Sequence, residues 1–337
     1  MKNQFKVESL KFKVRKIFLF FMFFSLFTIH YSLFTVVYAY DVRARSAIVM
    51  EAPTGKVLFA KNPDLKLPAA STIKIMTAII IAENADMNEI TTISKRAANQ
   101  QKSRLNLRKG DRIKIKDLLY AALMESANDA ATALAEAITD NEREFTKLMN
   151  RKAFEIGATN TRYINANGLP GKGQYTTAYD LAKIMRYAIK IPVIREVLTT
   201  KVKEISTEGG RRFFIRNKNR LVWQDDDFMG GKTGFTRMAR HCFVGASREE
   251  DTEIIIAVLG SPNRWSLWSV SERLFEKGYK ISSLQEEPVF YITRDLNNKK
   301  AGSGKIIAKK SKKHKRHLRK NKGTNIARQG KSRNIQG

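Results

Sequence analysis

Cysteine and histidine are nearly missing from this 337-residue chain, and their scarcity narrows its chemistry before any motif is weighed. Cys242 is the single cysteine, so no disulfide can form within the chain. Of the four histidines, His30 falls in an apolar N-terminal run, and His314 and His317 in a basic tail. Only His241 lies in the body, which excludes a multi-histidine metal site there and leaves a Ser-His-Asp triad one residue to use. His241 and Cys242 are neighbours, and on a strand they would point to opposite faces, so a Cys-His pair is disfavoured as well. The chemistry of the body must run on Ser, Lys, Thr, Asn or carboxylates, and no metal or cofactor is expected.

Acid is missing where base is crowded. Residues 299–337 hold fifteen Lys/Arg and no Asp or Glu, and residues 1–39 carry six Lys/Arg against Glu8. Of the net +30, this leaves about +10 on the middle of the chain. Residues 1–39 read as an export signal. Lys2, Lys6, Lys11, Lys13, Arg15 and Lys16 form its positive region, an apolar run spans Ile17 to Val37, and Val37-Tyr38-Ala39 resembles a cleavage site. That run is also nearly long enough for an uncleaved anchor. In either case the remainder leaves the cytoplasm, for the periplasm or the outer face of the cytoplasmic membrane. A folded body is expected over 40–282, a linker over 283–298, and a basic disordered tail over 299–337 that cannot fold alone.

From Ser46 the pattern is β: Ser46–Met50, a turn at Glu51–Gly55, and Val57–Ala60. Thr72 to Ile81 is apolar enough for a buried helix, although its β-branched residues leave a strand open. A short strand at Ile113–Ile115 precedes helices over Leu118–Met124, Asp129–Ile138 and Glu142–Ile156, with a break at Ser126-Ala-Asn128. Thr176 or Thr177 caps a helix through Ile189. Strands follow at Lys201–Ile205, Arg212–Ile215, Gly231–Thr236, His241–Ala246 and Glu253–Leu259, then a helix over Arg264–Lys277. The last of these strands is apolar on both faces, as a central strand is. With β at both ends flanking a helical middle, the ends can share one sheet, an α/β (α+β) arrangement and an antiparallel one.

The segment Pro68-Ala-Ala-Ser71-Thr-Ile-Lys74 places a serine at or just inside a helix start, with a lysine one turn on. A hydroxyl beside an amine there can be a nucleophile and its base. Taken singly, a capped core helix with a surface lysine explains it as well. Two later motifs change the balance: Ser126-Ala-Asn128 at a helix break, and Lys232-Thr-Gly234 on a strand. In this order, S-x-x-K, S-x-N and K-T-G form the set of the active-site serine penicillin-recognising enzymes. Leu67–Thr77, Glu125–Ala131, Asn167-Gly-Leu169 with Thr176–Asp180, and Gly231–Thr236 closely resemble the D-alanyl-D-alanine carboxypeptidases of the low-molecular-weight penicillin-binding proteins.

The resemblance covers roughly residues 42–282. It implies the β-lactamase/transpeptidase-like fold, a five-stranded antiparallel sheet flanked by helices. It further implies removal of the terminal D-Ala from peptidoglycan stem pentapeptides through an acyl-enzyme, and trapping by β-lactams such as penicillin. Carried over residue by residue, Ser71 is the nucleophile, Lys74 the general base, Ser126 the proton relay, and Asn128 the holder of Lys74 and the substrate amide. Lys232, Thr233, Gly234, Phe235 and Thr236 would bind substrate: Lys232 and Thr233 its carboxylate, the N–H groups of Ser71 and Phe235 the oxyanion. Arg264 is the nearest match to an arginine the family often places in the helix after the last long strand. The chain departs from the family beyond Ser282, where too few residues follow for the common C-terminal β-domain. The tail is an expected contact for anionic lipid or wall polymer, with a solubilising role as the alternative, and no nucleic acid is expected. A D,D-endopeptidase, a serine β-lactamase and a catalytically silent wall-binding protein are the competing readings.

Overall fold

The computed structural model describes residues 42–139 and 141–291. The expected export signal, the basic tail and residues 292–298 of the linker lie outside the described residues. Among these residues the main sheet has six strands: β1 (Ser46–Glu51), β2 (Val57–Lys61), β7 (Phe228–Thr236), β8 (Arg240–Glu249), β9 (Thr252–Ser261) and β10 (Val289–Tyr291). Their order is β10-β2-β1-β9-β8-β7, so the two ends of the chain meet where β1 pairs with β9. Five strands run antiparallel, as expected. The sixth is an addition: β10, inside the stretch read as linker, pairs parallel with β2 through Val289 opposite Phe59. Val289 packs against the core there, so the stretch read as linker carries a short docked strand.

Alternation along β1 and β9 separates two cores. Ile255, Ala257 and Leu259 join Ile48 and Met50 on the side of the helical middle. Ile254, Ile256 and Val258 join Ala47 and Val49 on the other, under α8 (Arg264–Ser282). Both faces of β9 are thus buried, which is why its sequence carries no polar alternation. Phe243 meets Trp268 of α8 edge-on at 5.4 Å and Phe228 at 6.5 Å, fixing that helix against β7 and β8.

The helical middle comprises α1 (Lys74–Asn84), the short α2 (Lys95–Ala98), α3 (Ile115–Met124), α4 (Asn128–Ile138), α5 (Glu142–Glu155), α6 (Ala178–Ala188) and α7 (Pro192–Thr199). Thr177, rather than Thr176, caps α6 by accepting from Asp180 N at 3.0 Å. α7 was not expected, although Pro192 at its first turn and Ile194, Val197 and Leu198 on one face signal it. Short strands β3 (Ile90–Thr92) and β4 (Arg112–Lys114) pair with each other. β5 (Val202–Ser206) and β6 (Arg212–Arg216) form a hairpin apart from the main sheet. Their sequence predicted strands but not which sheet they join; only Ile205 and Ile215 are buried, too little apolar surface for a central position.

Candidate active site

The apolar stretch after Pro68 begins as a 3-10 turn, Ala70–Ile73, and passes into α1 at Lys74. Ser71 therefore sits in the tight turn at the start of a buried helix, and Lys74 lies inside the first α-helical turn. The turn is clamped from two sides. Ala70 has φ +49°, a conformation that L residues hold only when their surroundings impose it. A Cβ at Gly168 would lie 2.2 Å from Ala70 O, and one at Gly234 would lie 2.8 Å from Ala69 O and 2.9 Å from Ser71 N. Glycine is required at both places so that a loop and the edge strand β7 can close on the serine.

Lys74 is 1% exposed, and each of its contacts can be named. Nζ lies 3.1 Å from Ser71 Oγ, 2.7 Å from Asn128 Oδ1 and 2.6 Å from Asn167 O. Asn128 donates its Nδ2 to Gln101 O at 3.0 Å, which turns its Oδ1 toward the lysine. A neutral amine has two N–H groups and one lone pair. The Asn128 and Asn167 oxygens can only accept, so they take both N–H groups and leave the lone pair to the Ser71 hydroxyl. Burial holds the Lys74 amine well below its usual range; the Lys232 charge and, more weakly, Lys218 push the same way, against Asp129. The pair is thereby set to move a proton from Ser71 to Lys74.

Ser126 occupies the break between α3 and α4 with φ +63°, a strained position for serine. Its Oγ accepts from Lys232 Nζ at 3.1 Å, and Lys232 also donates to Thr233 O at 3.0 Å. Lys232 is buried, and burial first, then the Lys218 charge, lower its pKa to about 7 against the pull of Glu125. Asn128 and Lys232 thus tie the second and third motifs to the first.

The motifs open into a cleft of about 420 Å³. Ser71, Ser126 and Asn128 reach it from the helical side, Thr233, Gly234, Phe235 and Thr236 from β7, and Arg264 from the start of α8. Every residue expected at the site is brought together, with Lys74 and Lys232 buried behind the cleft wall. Cys242 takes no part: burial pushes its thiol up to about 12. His241 lines the cleft beside Phe235, ring to ring at 4.4 Å, and burial and Arg264 lower its pKa. Ser71 is partnered by Lys74, not by His241.

Sequence reasoning gave no role to Asn167, whose backbone oxygen makes the shortest contact to Lys74; the Asn167–Leu169 stretch was noted only as part of a resemblance. Lys218 was missed because it sits among other basic residues outside any motif. It pairs with Glu125 at 2.6 Å and lowers both buried lysines. Asp129 was missed too. Its buried carboxylate accepts from Leu105 N at 3.0 Å and Leu107 N at 3.1 Å, pinning the loop whose Gln101 O holds Asn128.

A helix-sheet fold with a Ser-Lys pair, a Ser-x-Asn break and a Lys-Thr-Gly edge strand defines a serine hydrolase class, and comparison with known proteins agrees. The D-alanyl-D-alanine carboxypeptidase family, peptidase family S11, matches residues 34–263, and the chain belongs to it. D-alanyl-D-alanine carboxypeptidase DacF of Bacillus subtilis is 34% identical over 223 residues, 65% of this chain and 57% of that protein. The chain thus matches little more than half the length of that relative. A D-alanyl-D-alanine endopeptidase of Pseudomonas aeruginosa is 29% identical over 278 residues, 80% of this chain and 87% of that protein. The crystal structure of a D-alanyl-D-alanine carboxypeptidase from Mycobacterium tuberculosis is similar at TM-score 0.67 and 29% identity, covering 70% of this chain and 90% of that one.

Proposed function

We propose that this chain is an exported serine-type D-Ala-D-Ala carboxypeptidase that trims the terminal D-alanine from peptidoglycan stem pentapeptides. The observation that carries the reading is the buried Lys74 amine, whose Nζ lies 3.1 Å from Ser71 Oγ, 2.7 Å from Asn128 Oδ1 and 2.6 Å from Asn167 O. Ser71 attacks the carbonyl carbon of the penultimate D-Ala as Lys74 takes its proton. The N–H groups of Ser71 and Phe235 hold the oxyanion; the approach of Gly234 to Ser71 N supports their convergence. As the C–N bond breaks, Ser126 relays the proton to the departing amine. Water then cleaves the ester with Lys74 again as base, freeing the shortened stem. Lys232, Thr233 and Arg264 receive the terminal carboxylate. Penicillin, carrying an acyl-amide and a carboxylate in the same relation, acylates Ser71 and is released slowly.

Incubation with a stem pentapeptide, with products read by mass, tests the reading: the expected product is the tetrapeptide plus D-alanine, and Ser71→Ala abolishes it. Full activity of Ser71→Ala would overturn the mechanism. A crosslinked muropeptide in the same experiment tests a second reading, D,D-endopeptidase, which the Pseudomonas relative's name favours. Rapid steady turnover of benzylpenicillin after a burst would point instead to a β-lactamase. The +15 tail is proposed to hold anionic lipid or wall polymer. Salt should then release the full chain from membrane or wall material more than a chain ending at Asn298.

A further inference from the structure

We infer that the catalytic cleft continues into a basic subsite that takes a second carboxylate, one carried by the leaving group; the inference rests on the peptidase reading above. A second cavity of about 520 Å³ adjoins the cleft, and Lys218 and Arg264 line both. Beyond them it is lined by Arg216, Arg220 and Trp223, with Glu125 its one acidic side chain. Glu125 is already engaged by Lys218 at 2.6 Å, and Arg220 lies 3.4 Å from Glu272. Glu125 Oε1 also accepts from Arg216 N at 3.3 Å, but among the described residues no carboxylate pairs with the guanidinium of Arg216 or Arg264, and both groups line this space.

Arg216 is held ready. Its guanidinium lies 4.1 Å from the centre of the Trp223 ring, which orients the planar fork without using its N–H donors. Trp223 is fixed in turn by donating Nε1 to Asn217 O at 3.0 Å. Asn217, itself buried, donates to Leu198 O at 3.1 Å and Thr200 O at 3.0 Å. A carboxylate entering here meets a pre-set, unpaired fork, the arrangement that binds such groups bidentately.

The position says which part of a substrate would reach it. The terminal carboxylate of the substrate is received at Thr233 and Arg264, and Lys218 bonds to Glu125 O at 2.8 Å, next to Ser126. Space past Arg264 and Lys218 therefore belongs to whatever the departing amino acid carries beyond its own α-carboxylate. A departing D-alanine has only a methyl group there and leaves the subsite unused. A departing residue with an acidic side chain, or the acidic chain of a crosslinked leaving group, fills it.

The test uses the full chain and three peptides with one acyl half, ending in D-Ala-D-Ala, D-Ala-D-Glu or D-Ala-D-Lys, with products read by mass. The wild-type protein should cleave the D-Glu peptide with kcat/KM at least about tenfold above the D-Lys peptide, the scale of one charge-assisted hydrogen bond. Raised salt should shrink that ratio. Arg216→Gln should remove the preference while leaving D-Ala-D-Ala cleavage and penicillin acylation as in wild type, and Arg220→Gln should reduce it. Equal cleavage of the D-Glu and D-Lys peptides by wild type, or a preference surviving in Arg216→Gln, overturns the subsite. If wild type neither cleaves D-Ala-D-Ala nor is acylated by penicillin, the peptidase reading itself fails and the subsite falls with it.

Discussion

Asn128→Asp changes one atom type at the centre of the site and little of its volume, so it probes the proton state of Lys74 directly. Asn128 Oδ1 lies 2.7 Å from Lys74 Nζ, and both groups are buried. A full negative charge at that distance stabilises the ammonium by about 6 kcal/mol at an effective dielectric of about 20. That is about ten-thousandfold in the ratio of charged to neutral amine. The neighbouring carboxylate of Asp129, which already favours the charged lysine, adds to the effect. A negative neighbour raises the amine pKa, so a higher pH is needed to free the lone pair. The acylation rate constant with a fluorescent penicillin should fall by about a hundredfold or more at pH 7 and recover as the pH is raised. The variant also loses the donor to Gln101 O, at about 1–3 kcal/mol, so thermal unfolding is measured beside the rate. Asn128→Ala separates the two effects, since it loses the Gln101 contact, and the Lys74 contact as well, without adding charge. Wild-type acylation at pH 7 by a folded Asn128→Asp protein would refute the assignment of neutral Lys74 as the base.

Three further outcomes follow from the same geometry. Gly234→Ala places a Cβ 2.8 Å from Ala69 O and 2.9 Å from Ser71 N, both backbone atoms, so β7 must draw back from the serine. Acylation should fall by about a hundredfold, while stability falls by only about 1–3 kcal/mol; near-wild-type acylation would show that β7 does not build the site. Lys232 titrates at about 7 in the free protein, so its charge is lost as pH rises through that value. KM for a substrate bearing a terminal carboxylate should therefore climb above about pH 7 while that of its methyl ester stays level; a flat carboxylate KM to pH 9 would remove Lys232 from recognition. Asp129→Ala strips the acceptors of Leu105 N and Leu107 N and should cost about 3 kcal/mol, read as a Tm lower by roughly 6–12 °C. Because Asp129 raises the Lys74 pKa, its removal should also move the rising limb of the acylation profile to lower pH.

The contrast between what the sequence disclosed and what it hid follows from how each residue acts. Ser71, Lys74, Asn128 and Lys232 stand on helical turns or a strand, where spacing translates into position, and Ser126 stands at the helix break that the sequence pattern marks. Scarce histidine and cysteine left few other engines, so their motifs could be read together. β1 and β9 were legible for a related reason: period-two patterning and unbroken apolarity are imposed by burial on one or both faces. Asn167 acts through its backbone oxygen, which any residue possesses, and only the folded loop brings that atom 2.6 Å from Lys74. Asp129 acts through two backbone N–H groups 22 and 24 residues away, a separation no local pattern encodes. β10 has three residues and owes its existence to the free edge of β2. The lysine shows where the division lies. That Lys74 stands one turn from a serine is written in the chain, but that its pKa is lowered is not. That lowering comes from burial and from a second buried lysine 158 positions on, both supplied by distant segments. The motif specifies which atoms meet, and the remainder of the fold decides their protonation.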